Sequence, residues 1–210
     1  MPATALSKTF WDRIADRYAK KPVADESAYE KKLATTRRYL RDDATVLEVG
    51  CGTGTTAIRH APHVAHVHAT DISARMIEIA QQRADEANVD NVTFEQTALE
   101  DLDLPDESVD VVLALSLLHL VADRDAAIAN LHRWLKPGGV LVTSTACLGD
   151  NMRWFRFVAP VGAALGLMPI VKIFRMNDLR RSLADAGFVE DVDLPASDGR
   201  TLFAVSRKAS

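Results

Sequence analysis

Three glycines at alternate positions, Gly50, Gly52 and Gly54, follow the apolar run Val46, Leu47 and Val49. Asp71 closes the next apolar run, Val64 to Thr70. A glycine turn at the end of a buried strand bares backbone amides and carbonyls to a ligand. A carboxylate at the end of the following strand is suited to ribose hydroxyls. Residues 45–71 therefore point to nucleoside binding, in one of two registers. Gly52-Thr53-Gly54-Thr55-Thr56-Ala57 matches the dinucleotide fingerprint G-x-G-x-x-A, with Asp71 about 20 residues on. The competing register is Glu48-x-Gly50-x-Gly52-x-Gly54. A carboxylate just ahead of the turn would repel a pyrophosphate and attract an ammonium group. A ligand carrying both a ribose and a cation satisfies Asp71 and Glu48 together.

From Thr45 onward the pattern alternates between strand and helix, which predicts a parallel sheet with crossover helices. Strands are expected at 45–49, 64–70, 92–96, 109–115, 139–145, 187–194 and 201–207, and helices at 54–61, 73–87, 123–135 and 177–186. Ser73 is placed to cap the second of these helices. Pro137-Gly138-Gly139 reads as a stop before the strand Val140-Leu141-Val142. Gly187 has the position of a helix C-terminal glycine. The polar turn Ser197-Asp198-Gly199 makes the last two strands an antiparallel pair. Ahead of the sheet, Phe10, Trp11, Ile14 and Tyr18 fall at helical spacing, and a second helix is expected over Ser27 to Leu40 with Tyr29, Leu33, Thr36 and Leu40 on one side. Two compatible readings stand for this pair. It packs against a sheet edge, or it forms a lid whose aromatics cover a ligand at the glycine turn.

Val46-Leu47-Glu48-Val49-Gly50-Cys51-Gly52-Thr53-Gly54 resembles the first motif of the class I S-adenosylmethionine-dependent methyltransferases. Three further segments resemble that family in order: Asp71-Ile72-Ser73-Ala74-Arg75-Met76, Leu104-Pro105-Asp106-Glu107-Ser108-Val109-Asp110 and Leu135-Lys136-Pro137-Gly138-Gly139. Together they cover roughly residues 40 to 145, in the style of the small-molecule methyltransferase subgroup. The implied fold is α/β, a Rossmann-like seven-stranded mostly parallel sheet with a terminal antiparallel hairpin and N-terminal helices. It is expected as a single domain over 1–210, with a helical lid at 1–42 and an apolar insertion at 147–176 after strand five. The implied cofactor is S-adenosylmethionine. Its methionine portion would lie on Gly50, Cys51 and Gly52, within the turn that Gly54 completes, with Glu48 near the ammonium. Asp71 would take the ribose, Ile72 and Met76 the adenine, and Leu99 and Ser116 would touch the cofactor through backbone atoms. One departure stands out. Where the family usually has an aspartate for the adenine amino group, this chain has Ala98, leaving Glu100 or a water as substitutes.

Methyl transfer from a sulfonium needs chiefly alignment and exclusion of water. A general base is needed only for a protonated, weak acceptor. The catalytic candidates are His119, just past strand four, and Tyr18 on the lid. His60, His63, His66 and His68 flank a helix end and alternate along strand two, so no metal site is expected. The Gly149–Met176 stretch holds Trp154, Phe155, Phe157 and Val158 and the run Pro160 to Val171, flanked by Arg153, Arg156, Lys172 and Arg175. Its uncharged run is too short to span a bilayer. It reads as a core helix, as a cap over the acceptor pocket, or as a surface through 153–175 that touches a membrane or another subunit.

At 210 residues with a net charge of −4, the chain is long enough for a full core and argues against a nucleic-acid partner. Two cysteines without metal-type spacing point to a reducing cytoplasm, and Met1 to Phe10 has no signal-peptide core. The expected function is methyl transfer from S-adenosylmethionine to a small, lipophilic acceptor, most simply at oxygen. The alternatives are a lipid amine or quinone ring carbon near a membrane, a non-catalytic S-adenosylmethionine-binding protein, and a nicotinamide oxidoreductase, which Glu48 and the terminal hairpin disfavour.

Overall fold

The computed structural model describes residues 3–150, 152, 154–195 and 199–209; Arg153, Ser197 and Asp198 of the expectations above lie outside these, as does the Arg156 side chain. The strands are β1 (Thr45–Val49), β2 (His66–Asp71), β3 (Val92–Gln96), β4 (Val109–Leu115), β5 (Leu135–Ala146), β6 (Phe188–Pro195) and β7 (Thr201–Lys208). They form one sheet in the order β3-β2-β1-β4-β5-β7-β6. Strands β1 to β5 are parallel, and β7 runs antiparallel between β5 and β6. The order reverses at β1, whose neighbours β2 and β4 carry the chain to opposite sides. Ligands bind outside the carboxyl ends of the strands at such a point.

The helices are α1 (Ala3–Ala19), α2 (Glu26–Arg37), α3 (Thr55–His60), α4 (Ala74–Glu86), α5 (Arg124–Trp134), α6 (Phe155–Ala164) and α7 (Met176–Asp185). Both faces of the central strands are covered, which is why β1 and β4 are nearly continuous apolar runs. Alternate residues go to opposite cores. Leu47, Val49 and Val112 join Leu131, Trp134 and Leu179 on one face. Val46, Val111 and Leu113 join Ala57, Val67 and Val205 on the other. Ser73 caps α4, its Oγ accepting from Met76 N at 3.1 Å. Gly187 ends α7 with φ +92°.

Two strands start elsewhere than expected. Strand β2 begins at His66 rather than Val64, because Ala61–His63 forms a 3₁₀ turn whose end is pinned by Asn91 Nδ2 donating to Ala61 O (2.8 Å) and Val64 O (3.0 Å). Strand β5 begins at Leu135, straight from α5, and Pro137-Gly138-Gly139 falls inside it. The register there jumps from Val109↔Leu135 to Val111↔Val140. A Cβ on Gly139 would lie 2.8 Å from Lys136 O and 3.0 Å from Asp110 O, so this bulge admits only glycine.

Helix α1 lies on α4 and not on a sheet edge. Trp11, Ala15 and Ala19 pack against Met76 and Ile79. Helix α2 lies over α3 and the end of β5, where Tyr29 Oη and Thr56 Oγ1 share a hydrogen bond (3.1 Å) and Lys32 Nζ donates to Ser144 Oγ (2.9 Å). Helix α6 is not a core helix. It buries Ala159 and Ala163 and turns Phe157, Val158 and Val161 outward. Among the described residues no helix is long and apolar enough to cross a membrane.

Candidate functional site

Gly50, Gly52 and Gly54 all adopt left-handed backbone, with φ of +71°, +54° and +74°. Their surroundings differ. A Cβ on Gly54 would lie 2.8 Å from Ala80 Cβ and 2.9 Å from the Phe94 ring, so Gly54 lets α3 start close against α4 and β3. A Cβ on Gly52 would meet only Tyr18 Cε1, at 4.0 Å. Gly52 faces open space. The loop is fixed by backbone and by Asp71: Cys51 N donates to Thr70 O (2.9 Å), Gly52 N to Asp71 Oδ2 (2.8 Å) and Ser73 N to Asp71 Oδ1 (2.9 Å). Burial pushes the Asp71 carboxyl up from its ordinary range, against the pull of those two amides. Asp71 thus braces the glycine turn while keeping lone pairs for a ligand.

Glu48 is 3% exposed, and its Oε2 has no hydrogen-bond partner among the described residues. Burial, then the nearby Asp71 charge, push its pKa up to about 8, opposed by the Ala57 amide. A buried carboxylate with an unmet oxygen is costly unless something completes it. An ammonium group delivered along the glycine turn would do so.

Two cavities meet at this turn. One, of about 180 Å³, is lined by Asp71, Ile72, Met76, Ala98 and Leu99 below, by Trp11 and Tyr18 of α1 above, and by Leu117, Leu120, Ile170 and Lys172 beside them. The other, of about 850 Å³, runs from Glu48 and Cys51 under α2 to Ser144 and Phe203. Tyr18, Gly50, Gly52, Leu115 and Ser116 line both. Asp71, Ile72 and Met76, the residues the resemblance gives to ribose and adenine, line the smaller cavity, and Glu48, given to the ammonium, lines the larger. Glu100 lines the smaller cavity close to Ala98, where the usual aspartate is missing. Ser116, the residue after β4, has φ +58°, a conformation costing an L-residue about 1–2 kcal/mol. Its N–H donates to Ser144 O (2.6 Å), which holds the bend where the cavities join.

The predicted residues divide accordingly. Glu48, Gly50, Cys51, Gly52, Asp71, Ile72, Met76, Leu99, Ser116 and Tyr18 come together on the two cavities; Gly54 and His119 line neither. Gly54 has the packing role described above. His119 turns its Nδ1 into a buried place with no partner among the described residues, and burial lowers its pKa to about 4. Burial together with Arg37 lowers His60 to about 4 as well, while His68 Nε2 pairs with Glu95 at 2.8 Å. Burial and the Asp71 charge raise the Tyr18 hydroxyl.

The clamps on α1 were not foreseen. Ser73 Oγ donates to Asp12 Oδ1 (2.7 Å), and Arg75 pairs with Asp16 (2.7 Å). Arg83 donates to Ala19 O (2.7 Å) and Thr53 Oγ1 (2.7 Å), tying the end of α1 to the glycine turn. Asp12, Asp16 and Arg83 sit at ordinary helix-surface spacing, and only tertiary placement makes them a latch.

The family described as a methyltransferase domain matches residues 46–139. Over 198 residues the chain is 33% identical to the ubiquinone biosynthesis O-methyltransferase of Pseudomonas syringae pv. tomato, covering 90% of this chain and 82% of that protein. It is 42% identical over 136 residues to the 27-O-demethylrifamycin SV methyltransferase of Amycolatopsis mediterranei, covering 60% of this chain and 48% of the relative. With the uncharacterized methyltransferase YcgJ of Bacillus subtilis it shares 34% over 99 residues, 47% of this chain and 39% of YcgJ. The matches to these last two span less than half of the relatives' length. The crystal structure of YcgJ superposes with a TM-score of 0.70 at 17% identity, covering 86% of this chain and 99% of that one, which speaks to the fold alone. The extended match to the ubiquinone relative, together with a glycine turn flanked by Glu48 and Asp71, places the chain in a family. It belongs to the class I S-adenosylmethionine-dependent methyltransferases.

Proposed function

We propose that the chain transfers a methyl group from S-adenosylmethionine to an oxygen of a small, largely apolar acceptor. The observation that carries this reading is that two cavities share a rim at Gly50, Gly52, Leu115 and Ser116, as adjoining donor and acceptor spaces require. When bound, the sulfonium supplies a methyl carbon already activated for displacement. The residues here do the rest. Glu48 and the bare amides of the turn fix one end of the donor, Asp71 the ribose, and Tyr18 and Trp11 of α1 exclude water. Oxygen as the acceptor is favoured by the relatives, of which the ubiquinone and rifamycin proteins are named as O-methylating enzymes. Apolar side chains, Leu33 and Phe203 among them, favour a lipophilic acceptor in the larger cavity.

The test is methyl transfer from labelled S-adenosylmethionine to phenols, hydroxyquinones, thiols, amines and lipids. Labelled ethers or esters are the expected products. Label on nitrogen or carbon alone would move the acceptor atom, and a protein that does not bind S-adenosylmethionine would end the reading.

A second reading concerns where the acceptor comes from. Trp154, Phe157, Val161, Leu165 and Leu167 are each more than half exposed. The same segment continues to Ile170 and Lys172, which line the smaller cavity and so stand beside the donor, across the shared rim from the acceptor space. Exposed apolar side chains in such number mark an interaction surface. We infer that this face rests on a lipid surface from which a quinone-like or lipid acceptor is drawn. Co-sedimentation with phosphatidylglycerol vesicles, lost in Phe157→Asp/Leu165→Asp, is expected; a wild-type protein that stays in the supernatant contradicts it.

A further inference from the structure

Leu117 stands where the chain bends sharply just past β4. The bend is held in place: Ser116, at φ +58°, donates its N–H to Ser144 O (2.6 Å), and Leu120 N donates to Leu117 O (2.7 Å). Backbone strain maintained by its surroundings clusters at functional sites. Here the bend separates two neighbouring leucines. Leu118 enters the core and is fully buried, whereas Leu117 is only partly buried. Behind it Leu117 packs on the core, and in front it lines the smaller cavity. It also rests on the glycine turn, since a Cβ on Gly50 would lie 2.8 Å from Leu117 Cδ1. Gly50 and Ser116 line both cavities; of the two, Leu117 lines the smaller alone. Its side chain therefore stands at the edge of the rim where the cavities meet. A ligand with its ribose at Asp71 and its ammonium at Glu48 has the sulfur, which joins those two parts, at this same rim.

Resting on the methyl-transfer reading above, we propose that Leu117 is a specificity-determining residue that packs against the third group on the donor sulfur and limits it to methyl. Gly50 and Leu117 act as a pair. The bare backbone of Gly50 lets the sulfur come close, and the leucine closes the space beside it to water and to any longer alkyl group. The fixed bend at Ser116 sets where the side chain starts and the core stands behind it, so Leu117 has little room to retreat. One extra methylene against such an apolar wall costs about 10-fold or more in discrimination.

The probes are S-adenosylmethionine, its S-ethyl homologue S-adenosylethionine, and S-adenosylhomocysteine, which has no third group on sulfur. Each is titrated calorimetrically into the whole chain. Wild type should bind the ethyl probe about 10-fold or more weakly than the methyl one. Leu117→Ala should bring the two within about threefold, and Leu117→Val, one methylene shorter and conservative enough to fold, should fall between. S-adenosylhomocysteine separates contact from scaffolding. Contact predicts that it binds wild type and Leu117→Ala alike; a leucine that only holds the bend predicts equal losses for all three ligands and an unchanged ethyl-to-methyl ratio. That second pattern would overturn the proposal, as would a Leu117→Val variant with the wild-type ratio or a wild type that binds both sulfonium probes equally. Failure of wild type to bind either S-adenosylmethionine or S-adenosylhomocysteine would instead overturn the methyl-transfer reading on which it rests.

Discussion

Gly52 and Gly54 share a backbone conformation and differ in what surrounds them, so the same substitution should fail in two ways. Gly54→Ala forces a methyl against Ala80 and Phe94 and should lose about 2–4 kcal/mol of stability, the left-handed cost plus overpacking. Gly52→Ala meets no such wall. It should lose only about 1 kcal/mol and stay folded, while placing a methyl in the open space proposed for the cofactor. Denaturant unfolding beside cofactor titration separates the two; equal stability losses would contradict the assignment. Glu48 carries a pH signature. Its pKa in the folded protein, about 8, stands above the ordinary 4.5. The folded state keeps a proton that the unfolded chain releases, so this contribution to stability is full below about pH 4.5 and is lost as pH rises through about 8. Without cofactor, Glu48→Gln should therefore gain stability over wild type as pH is raised across that window. Melting curves at several pH values check this, and parallel curves would count against it. Ala98 marks a missing contact rather than a lost site. Ala98→Asp should tighten cofactor binding several-fold by restoring a charge-assisted bond to the adenine amino group; weaker binding would show that Glu100 already fills the role.

At the scale of elements, α1 matters more than its length implies. Its amphipathic spacing was legible in Phe10, Trp11, Ile14 and Tyr18, because a 3.6-residue period is local. Its seat on α4 was not, because Asp12, Asp16 and Arg83 look like any solvated helix face until the fold brings them to Ser73, Arg75 and Ala19. The Arg75–Asp16 pair is exposed, whereas the Ser73–Asp12 and Arg83–Ala19 contacts are part-buried hydrogen bonds. A hydrogen bond to a neutral partner contributes about 0.5–1.5 kcal/mol, so a contact such as Arg83–Ala19 holds α1 in place without deciding the fold. Arg83→Ala should accordingly leave the melting temperature within a few degrees and speed release of S-adenosylhomocysteine several-fold. Stopped-flow displacement measures it, and an unchanged off-rate would show that α1 is merely a scaffold. The same locality explains two misplaced strand boundaries. Pro137-Gly138-Gly139 is a helix stop by sequence, yet the sheet absorbs it as a bulge because Leu135 already pairs with Val109. Lys32 was hidden for a related reason. In Glu30-Lys31-Lys32 it reads as surface charge, and only the packing of α2 over Ser144 turns it inward.

For the whole molecule, the sheet supplies a switch point at β1, and the sequence between Thr45 and Asp71 makes it selective. That half was legible because the chemistry is local: a strand, a glycine turn, one carboxylate before it and one after the next strand. The proposed acceptor half was not, since the larger cavity is assembled from α2, the end of β5, β7 and the rim of β4. The claim on which the rest depends is that Glu48 meets the cofactor's ammonium at this turn. Isothermal titration with S-adenosylmethionine near pH 7, in two buffers of different ionisation enthalpy, tests it. Wild-type Glu48 begins largely protonated, and pairing with a cation lowers its pKa, so binding should release up to about one proton. Glu48→Gln should release none and bind about 10- to 100-fold more weakly, the worth of one charge-assisted bond. Binding that is equally tight in Glu48→Gln, or that takes up protons, would contradict the account.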